Sequence, residues 1–228
     1  MAKVEQERSE GAPPRAYRDL HDHLKALDAA GLLVTVDRPI DKDSEMHPLV
    51  RWQFRGGIAE KDRKAFLFTN VIDAKGRKYD IPVVIGALAA NREIYRLGMG
   101  CDLDKINETW NHAIAHPIAP RLVKEAPCHE IVIAGKDLDT PGNGLDGIPV
   151  PISTPGWDVS PYTTLSQYIT KDPDTGIQNM GNYRGQVKAR RRLGMNPSLE
   201  LRPGIYNHWE KLRARGFNSS TIGCTRHG

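Results

Sequence analysis

The run Asp172-Pro-Asp-Thr-Gly176 followed by Ile177-Gln-Asn-Met-Gly-Asn-Tyr-Arg-Gly-Gln-Val187 constrains this chain more than any other. It asks for a tight turn, then for a strand with more polar groups than a strand ordinarily holds. Pro173 presets φ for a type I turn, Asp172 can bond the backbone ahead of it, and Gly176 accepts the left-handed conformation that closes a hairpin loop. Two strands are therefore expected to pair, one over Leu165–Thr170 and a longer one over Ile177–Val187. Strict alternation places Asn179 and Gly181 on one face with Tyr183, and Met180 and Asn182 on the other with Arg184. Gly181 inside the strand marks a bulge or a close backbone approach. A bulge there would re-aim Asn179, Asn182 and Arg184 into one pocket.

With 39% hydrophobic and 26% charged residues in 228, the chain has the balance of a globular protein with a core, in one large or two small domains. A net charge of +4 is too slight to imply nucleic acid or a membrane surface. No apolar run approaches the ~20 residues of a membrane span, and the first ten residues are polar and charged, so a cytoplasmic location is expected. Cys101, Cys128 and Cys224 lie far apart without C-x-x-C spacing, which fits unpaired thiols in a reducing compartment.

Residues 1–14 read as a disordered tail. An α/β domain is expected over 15–120, with a helix over Tyr17–Ala30 that stops at Gly31 and strands at Leu32–Val36, Ala65–Thr69 and Ile81–Ile85. Further helices are expected at Glu45–Phe54, at Asn91–Leu97 and at Asp104–Ala115 with Asp104 as N-cap. From residue 121 to 216 short strands and Pro/Gly-rich turns dominate, beginning with Glu130–Ala134. The class is α/β (mixed α+β), an N-terminal α/β domain followed by a β-rich one.

Four features invite functional readings that simpler ones match. His112 and His116 share a helix face as metal ligands would, but the acidic third ligand is missing, and a packed or surface pair accounts for them. His21 and His23 read as solvated. Gly98-Met-Gly100 and Gly142-Asn-Gly144 are fragments of a dinucleotide fingerprint and read as loops. Lys188-Ala-Arg-Arg-Arg192 lacks interleaved aromatics and reads as a solvated basic loop rather than a phosphate grip.

Thr170-Lys-Asp-Pro-Asp-Thr-Gly176, Asn179-Met-Gly-Asn-Tyr-Arg184 and Arg192-Leu-Gly-Met195 together resemble the UbiD family of decarboxylases. Gly147-Ile-Pro-Val-Pro151, Pro161-Tyr-Thr-Thr164 and Leu32–Pro39 extend the likeness over most of the chain to about Gly216. The resemblance implies a split β-barrel over 121–216, prenylated FMN, a divalent metal (Mn2+ or Mg2+) and K+ as a further ion. It implies that Asn179 ligates the metal through its side-chain oxygen and that Asn182 and Tyr183 run along the cofactor. Arg184 would position the substrate carboxylate beside the flavin, with further flavin contacts at Thr164 and at Arg202, Pro203 and Gly204. Some branches place a histidine ligand where Gly204 stands. The implied reaction is non-oxidative (de)carboxylation of an aromatic or α,β-unsaturated acid, with a flavin prenyltransferase supplying the cofactor.

Members are about twice this length, and their metal-binding glutamate and catalytic acid lie beyond residue 228. Residues 217–228 carry no likeness, so a truncated member is expected. Two readings stay open: a decarboxylase, as a homo-oligomer or with a second subunit carrying the missing acids, and a remnant or flavin-binding module without catalysis.

Overall fold

The computed structural model describes residues 19–119, 123–126 and 129–217. In chain order the elements are α1 (Leu20–Ala29), β1 (Leu33–Val36), β2 (Ile40–Asp41), α2 (Met46–Arg55), β3 (Ala65–Phe68), β4 (Val71–Ile72), β5 (Lys78–Tyr79) and β6 (Val83–Ile85). They continue with α3 (Arg92–Met99), α4 (Ile106–Ala115), β7 (Tyr162–Thr163), β8 (Gln167–Lys171), β9 (Gln178–Asn182), β10 (Gly185–Ala189), β11 (Arg192–Met195) and α5 (Gly204–Ala214). The class is the mixed α/β one expected. Packing sorts the chain into two compact units that interleave in sequence. Among the described residues, one comprises 19–36, Val50–Phe68 and Val84–Ala119, the other Asp37–Leu49, Thr69–Val83, 123–126 and 129–217.

In the first unit β1, β3 and β6 form a sheet in the order β1-β3-β6, with β1 and β3 parallel and Leu33 opposite Ala65. Asp19 caps α1 by accepting from the Asp22 N–H, and the helix ends at Gly31, whose φ of 66° only glycine adopts freely. Leu27, Leu32, Ala65, Ala87, Ala90 and Ile94 close into one buried cluster, with Leu24 and Leu97 packed on it. The helical spacing of Leu24 and Leu27 in α1 is what delivers them to that cluster. His23 corrects the expectation of a solvated residue: it is buried, with Nε2 2.7 Å from the Ala87 carbonyl.

Two more expectations fail in this unit. Asp104 lies in a 3-10 turn over Leu103–Lys105, and the N-cap position of α4 falls on Lys105 without a side-chain cap. Gly98 and Met99 form the last turn of α3, and Gly100 caps it in the left-handed conformation, so this is a helix end rather than a loop. Aspartate is a good N-cap, but the short turn before α4 displaces Asp104 by one position. His112 and His116 are exposed, with rings stacked at 4.3 Å.

In the second unit the strands stand in small sheets, ordered β2-β4-β5, β8-β9 and β11-β10-β7. Lys42 is buried. Its Nζ donates to Asp43 Oδ1 at 2.7 Å and to the Val150 carbonyl at 2.9 Å, and Asp43 Oδ1 accepts from the Ile152 N–H. A buried ammonium needs both a counter-charge and hydrogen bonds, and this arrangement supplies both while anchoring the Gly147–Pro151 segment. Residues 130–134 form no strand: Ile131 and Val132 are 78% and 66% exposed, and no strand pairs with them. A short apolar run carries no period by which a strand can be told from other structure.

Candidate functional site

The site is built on the β8-β9 hairpin. Asp172 Oδ1 accepts from the Asp174 and Thr175 N–H groups, Asp172 N–H donates to the Ile177 carbonyl, and Gly176 has φ 72°, so the turn has the chemistry read from its residues. The strands pair in unbroken register, Tyr168 opposite Gly181 and Thr170 opposite Asn179. The bulge expected at Gly181 is therefore absent, and the close-approach alternative holds. A Cβ on Gly181 would stand 2.5 Å from the Tyr183 ring, which lies over that glycine and meets Tyr168 edge-on at 5.8 Å. The strand expected over 177–187 instead breaks at Tyr183 and Arg184, between β9 and β10. That break lets Arg184 leave the alternation.

Asn182, Tyr183 and Arg184 consequently line one cavity of about 510 Å³, together with Tyr162, Gln186, Lys188 and Gly194–Asn196. The Arg184 guanidinium lies 4.3 Å from the Tyr162 ring centroid, and its Nη2 donates to both oxygens of Asp158 at 3.0 Å. Asp158 is fixed independently by accepting from the Thr154 N–H at 3.1 Å. The arginine side chain is 51% exposed and the aspartate 13%. The aspartate is thus the sheltered partner and the arginine the one offered outward.

Asn179 does not line this cavity. It sits on the face of β9 opposite Asn182, against the start of α5, where a Cβ on Gly204 would stand 2.4 Å from its Oδ1. Its Nδ2 is buried without a hydrogen-bond partner among the described residues. Arg202 and Pro203 lie at the same helix start: Arg202 has φ 41°, left-handed for a non-glycine residue, and its side chain pairs with Glu210, while the Pro203 carbonyl accepts from the Tyr206 N–H. Thr164 is exposed beyond β7 and lines neither group. The residues named from sequence therefore fall into a cavity set (Asn182, Tyr183, Arg184), a helix-start set (Asn179, Arg202, Pro203, Gly204) and Thr164 alone.

Helix α5 itself went unforeseen, although Ile205, Trp209 and Leu212 repeat at helical spacing after Pro203. A polar clasp ties it to the hairpin. Lys211 Nζ donates to Asp172 Oδ2 at 2.6 Å, and His208 Nδ1 lies 2.8 Å from Thr170 Oγ1. The Lys211 ammonium, with the N–H groups of Asp174 and Thr175, pulls the Asp172 carboxyl down to about 2. Asp158 and Tyr162 also went unnamed. Tyr162 lies in the Pro161–Thr164 motif, whereas Asp158, 26 residues from Arg184, leaves no local signal. In the basic run, Arg190 pairs with Asp146 and Arg191 with Asp139, while Lys188 faces the cavity.

Two cations, a stacking tyrosine and the backbone break between β9 and β10 give the cavity the donors and size that a flavin phosphate or ring system requires. A divalent metal fits less well. Asn179 offers one neutral oxygen, and no group of three His, Cys, Asp or Glu that could hold a metal exists among the described residues. Hard divalent ions take six or more oxygens, so these residues alone do not make a metal site.

Comparison with known proteins agrees with this architecture. The profile of the 3-octaprenyl-4-hydroxybenzoate carboxy-lyase N-terminal domain matches residues 24–114, and that of the Rift-related domain of the same carboxy-lyase matches 121–223. Among solved structures, the UbiD-class enzyme HmfF from Pelotomaculum thermopropionicum in complex with FMN is 29% identical with a TM-score of 0.70, over 86% of this chain and 40% of that one. An evolved dimeric form of HmfF in complex with prFMN is 27% identical with a TM-score of 0.67, over 86% of this chain and 42% of that one. The apo 3,4-dihydroxybenzoic acid decarboxylase from Enterobacter cloacae is 27% identical with a TM-score of 0.71, over 88% and 40%. The chain thus spans about 40% of the length of these relatives. With both domain profiles matched in order and the fold shared, the chain belongs to the UbiD family of carboxy-lyases.

Proposed function

We propose that this chain carries the carboxylate-binding and flavin-facing part of a non-oxidative (de)carboxylase that acts on a small aromatic or α,β-unsaturated acid with prenylated FMN. The observation that carries the proposal is Arg184, half-exposed on the wall of a cavity with Asn182, Tyr183 and Lys188 and held over Tyr162. Loss of carbon dioxide breaks a C–C bond and leaves its electron pair on a carbon that cannot hold it; bound prenylated FMN supplies the electron sink that no side chain offers. Arg184 takes the substrate carboxylate through planar N–H donors and fixes its plane. Lys188 adds a second positive charge, which favours an anionic ligand on the same wall.

In this reading residues 15–120 and 121–216 act as the N-terminal α/β and flavin-binding domains, and Thr164 and Arg202–Gly204 serve the cofactor from outside the Arg184 cavity. Mn2+ or Mg2+ and K+ would draw most ligands from outside the described residues, with Asn179 adding one oxygen. No Asp or Glu lines the cavity among the described residues, and Asp158 beside it is engaged by Arg184 and the Thr154 N–H, so in this reading the acid that returns the proton comes from elsewhere: a further segment, a second subunit or a second copy. The same observation favours a second reading, a flavin-binding module without catalysis. A cytoplasmic location, with cofactor received from a flavin prenyltransferase, accords with the absence, among the described helices, of one long and apolar enough to cross a membrane.

The test supplies prenylated FMN, Mn2+ and the remaining family portion to the chain and follows carbon dioxide release from a panel of aromatic and acrylic acids. Arg184→Ala should abolish release with unchanged thermal stability, because it removes a charge-assisted contact rather than core volume. Near-normal turnover in that variant would overturn the role. Tight flavin binding with no release in any combination would favour the module.

A further inference from the structure

We propose that Asp158 is an internal counter-carboxylate, holding the nitrogen of Arg184 that a ligand's carboxylate must take, so that the site binds an acid only by exchange. The inference rests on the reading of Arg184 as the carboxylate-binding group. Both Asp158 oxygens lie 3.0 Å from Nη2, so the carboxylate meets one nitrogen head-on instead of gripping two. A guanidinium offers two forks to a carboxylate, Nη1 with Nη2 and Nε with Nη2. Nη2 is common to both. Asp158 therefore stands at the one donor without which neither fork forms.

The surroundings favour exchange over rupture of the site. Asp158 does not depend on Arg184 for its place, because its Oδ2 accepts from the Thr154 N–H and its own N–H donates to the Thr154 carbonyl at 2.9 Å. Arg184 does not depend wholly on Asp158, because the Tyr162 ring supports the guanidinium from one face. Each partner keeps a second anchor when they part. The pair is neutral as it stands, so an arriving carboxylate meets the full charge of Arg184 only once it has displaced Asp158 from Nη2.

Asp158→Asn keeps an oxygen for the Thr154 N–H and removes the competing charge. Titrated with benzoate, and with benzamide as the uncharged control, the variant should bind benzoate roughly 1.5- to fivefold more tightly than the wild-type chain, the range expected of a half-exposed ion pair. Benzamide binding should not change. The gain should vanish in Asp158→Asn/Arg184→Gln and revert in Asp158→Glu. Benzoate binding no tighter in Asp158→Asn than in the wild type, while Arg184→Gln weakens it, overturns the exchange alone. Equal binding by wild type and Arg184→Gln overturns the reading of Arg184 instead. Should Asp158→Asn fail to fold, the Asp158 carboxyl carbon in the wild-type chain still decides: its NMR shift must move along the benzoate titration, and a static signal at benzoate saturation refutes the proposal.

Discussion

Gly204→Ala separates packing from function at the helix start. The added Cβ would stand 2.4 Å from Asn179 Oδ1, 2.5 Å from Cγ and 3.0 Å from Nδ2. An ordinary contact begins near ~3.5 Å, so the amide must withdraw by about 1 Å. Gly204 is not among the glycines with positive φ, so the backbone accepts alanine. Gly204 is the first residue of α5, so replacing it gains less than the ~1 kcal/mol of a helix interior, and turning Asn179 off its rotamer costs about 0.5–1.5 kcal/mol. The two nearly cancel. For a chain of this size 1 kcal/mol moves Tm by about 2–4 °C, so the melting temperature should stay within that span of wild type. The Asn179 side-chain amide signals in a 15N correlation spectrum should shift strongly, and flavin-dependent activity of the complemented protein should fall. Unmoved Asn179 signals would show that the amide does not lie against Gly204. A fall in Tm beyond ~10 °C would show that Asn179 cannot yield, and the cancellation would be wrong.

Two further outcomes follow from the hairpin. Gly181→Val drives a side chain into the Tyr183 ring and should cost about 1–3 kcal/mol while weakening FMN binding, measured by urea unfolding and flavin fluorescence; full stability would mean that the ring is free to move. Asp172 has a folded-state value of about 2, below its ordinary 3.8, so its contribution to stability is full above that ordinary value and is lost as pH falls through 2. Lys211→Ala should raise the Asp172 carboxyl titration midpoint toward 3.8 and flatten the dependence of Tm on pH between those values; an unchanged midpoint would remove Lys211 as the cause.

Local chemistry was legible and distant pairing was not. Asp172, Pro173 and Gly176 dictate their turn through bonds spanning at most five residues, and the leucines of α1 dictate its buried face by spacing alone. Asn179, Asn182 and Arg184 were expected to share one pocket; Asn182 and Arg184 do line one cavity, because the strand ends after Asn182 rather than bulging at Gly181, but Asn179 stays on β9 against the start of α5. Asp158 escaped notice because its link to Arg184 is set by β7 pairing with β10, which brings the segment before β7 to the cavity, and such pairing has no local period. His23 was misread because its neighbours His21 and Asp22 are polar, while its position on α1 turns it toward the core beside Ala87. The apolar residues 131–133 were misread in the opposite sense, since hydrophobicity without a partner strand does not make a sheet.

The central claim, that the cavity bounded by Asn182, Tyr183, Arg184 and Lys188 is a flavin and carboxylate site, is tested most directly by a crystal structure of the chain grown with FMN and benzoate. The account predicts flavin density along the Asn182–Arg184 backbone, with the benzoate carboxylate on Arg184 Nη2 in place of Asp158. Flavin seated elsewhere, with Arg184 still closed on Asp158 at saturating benzoate, would contradict it.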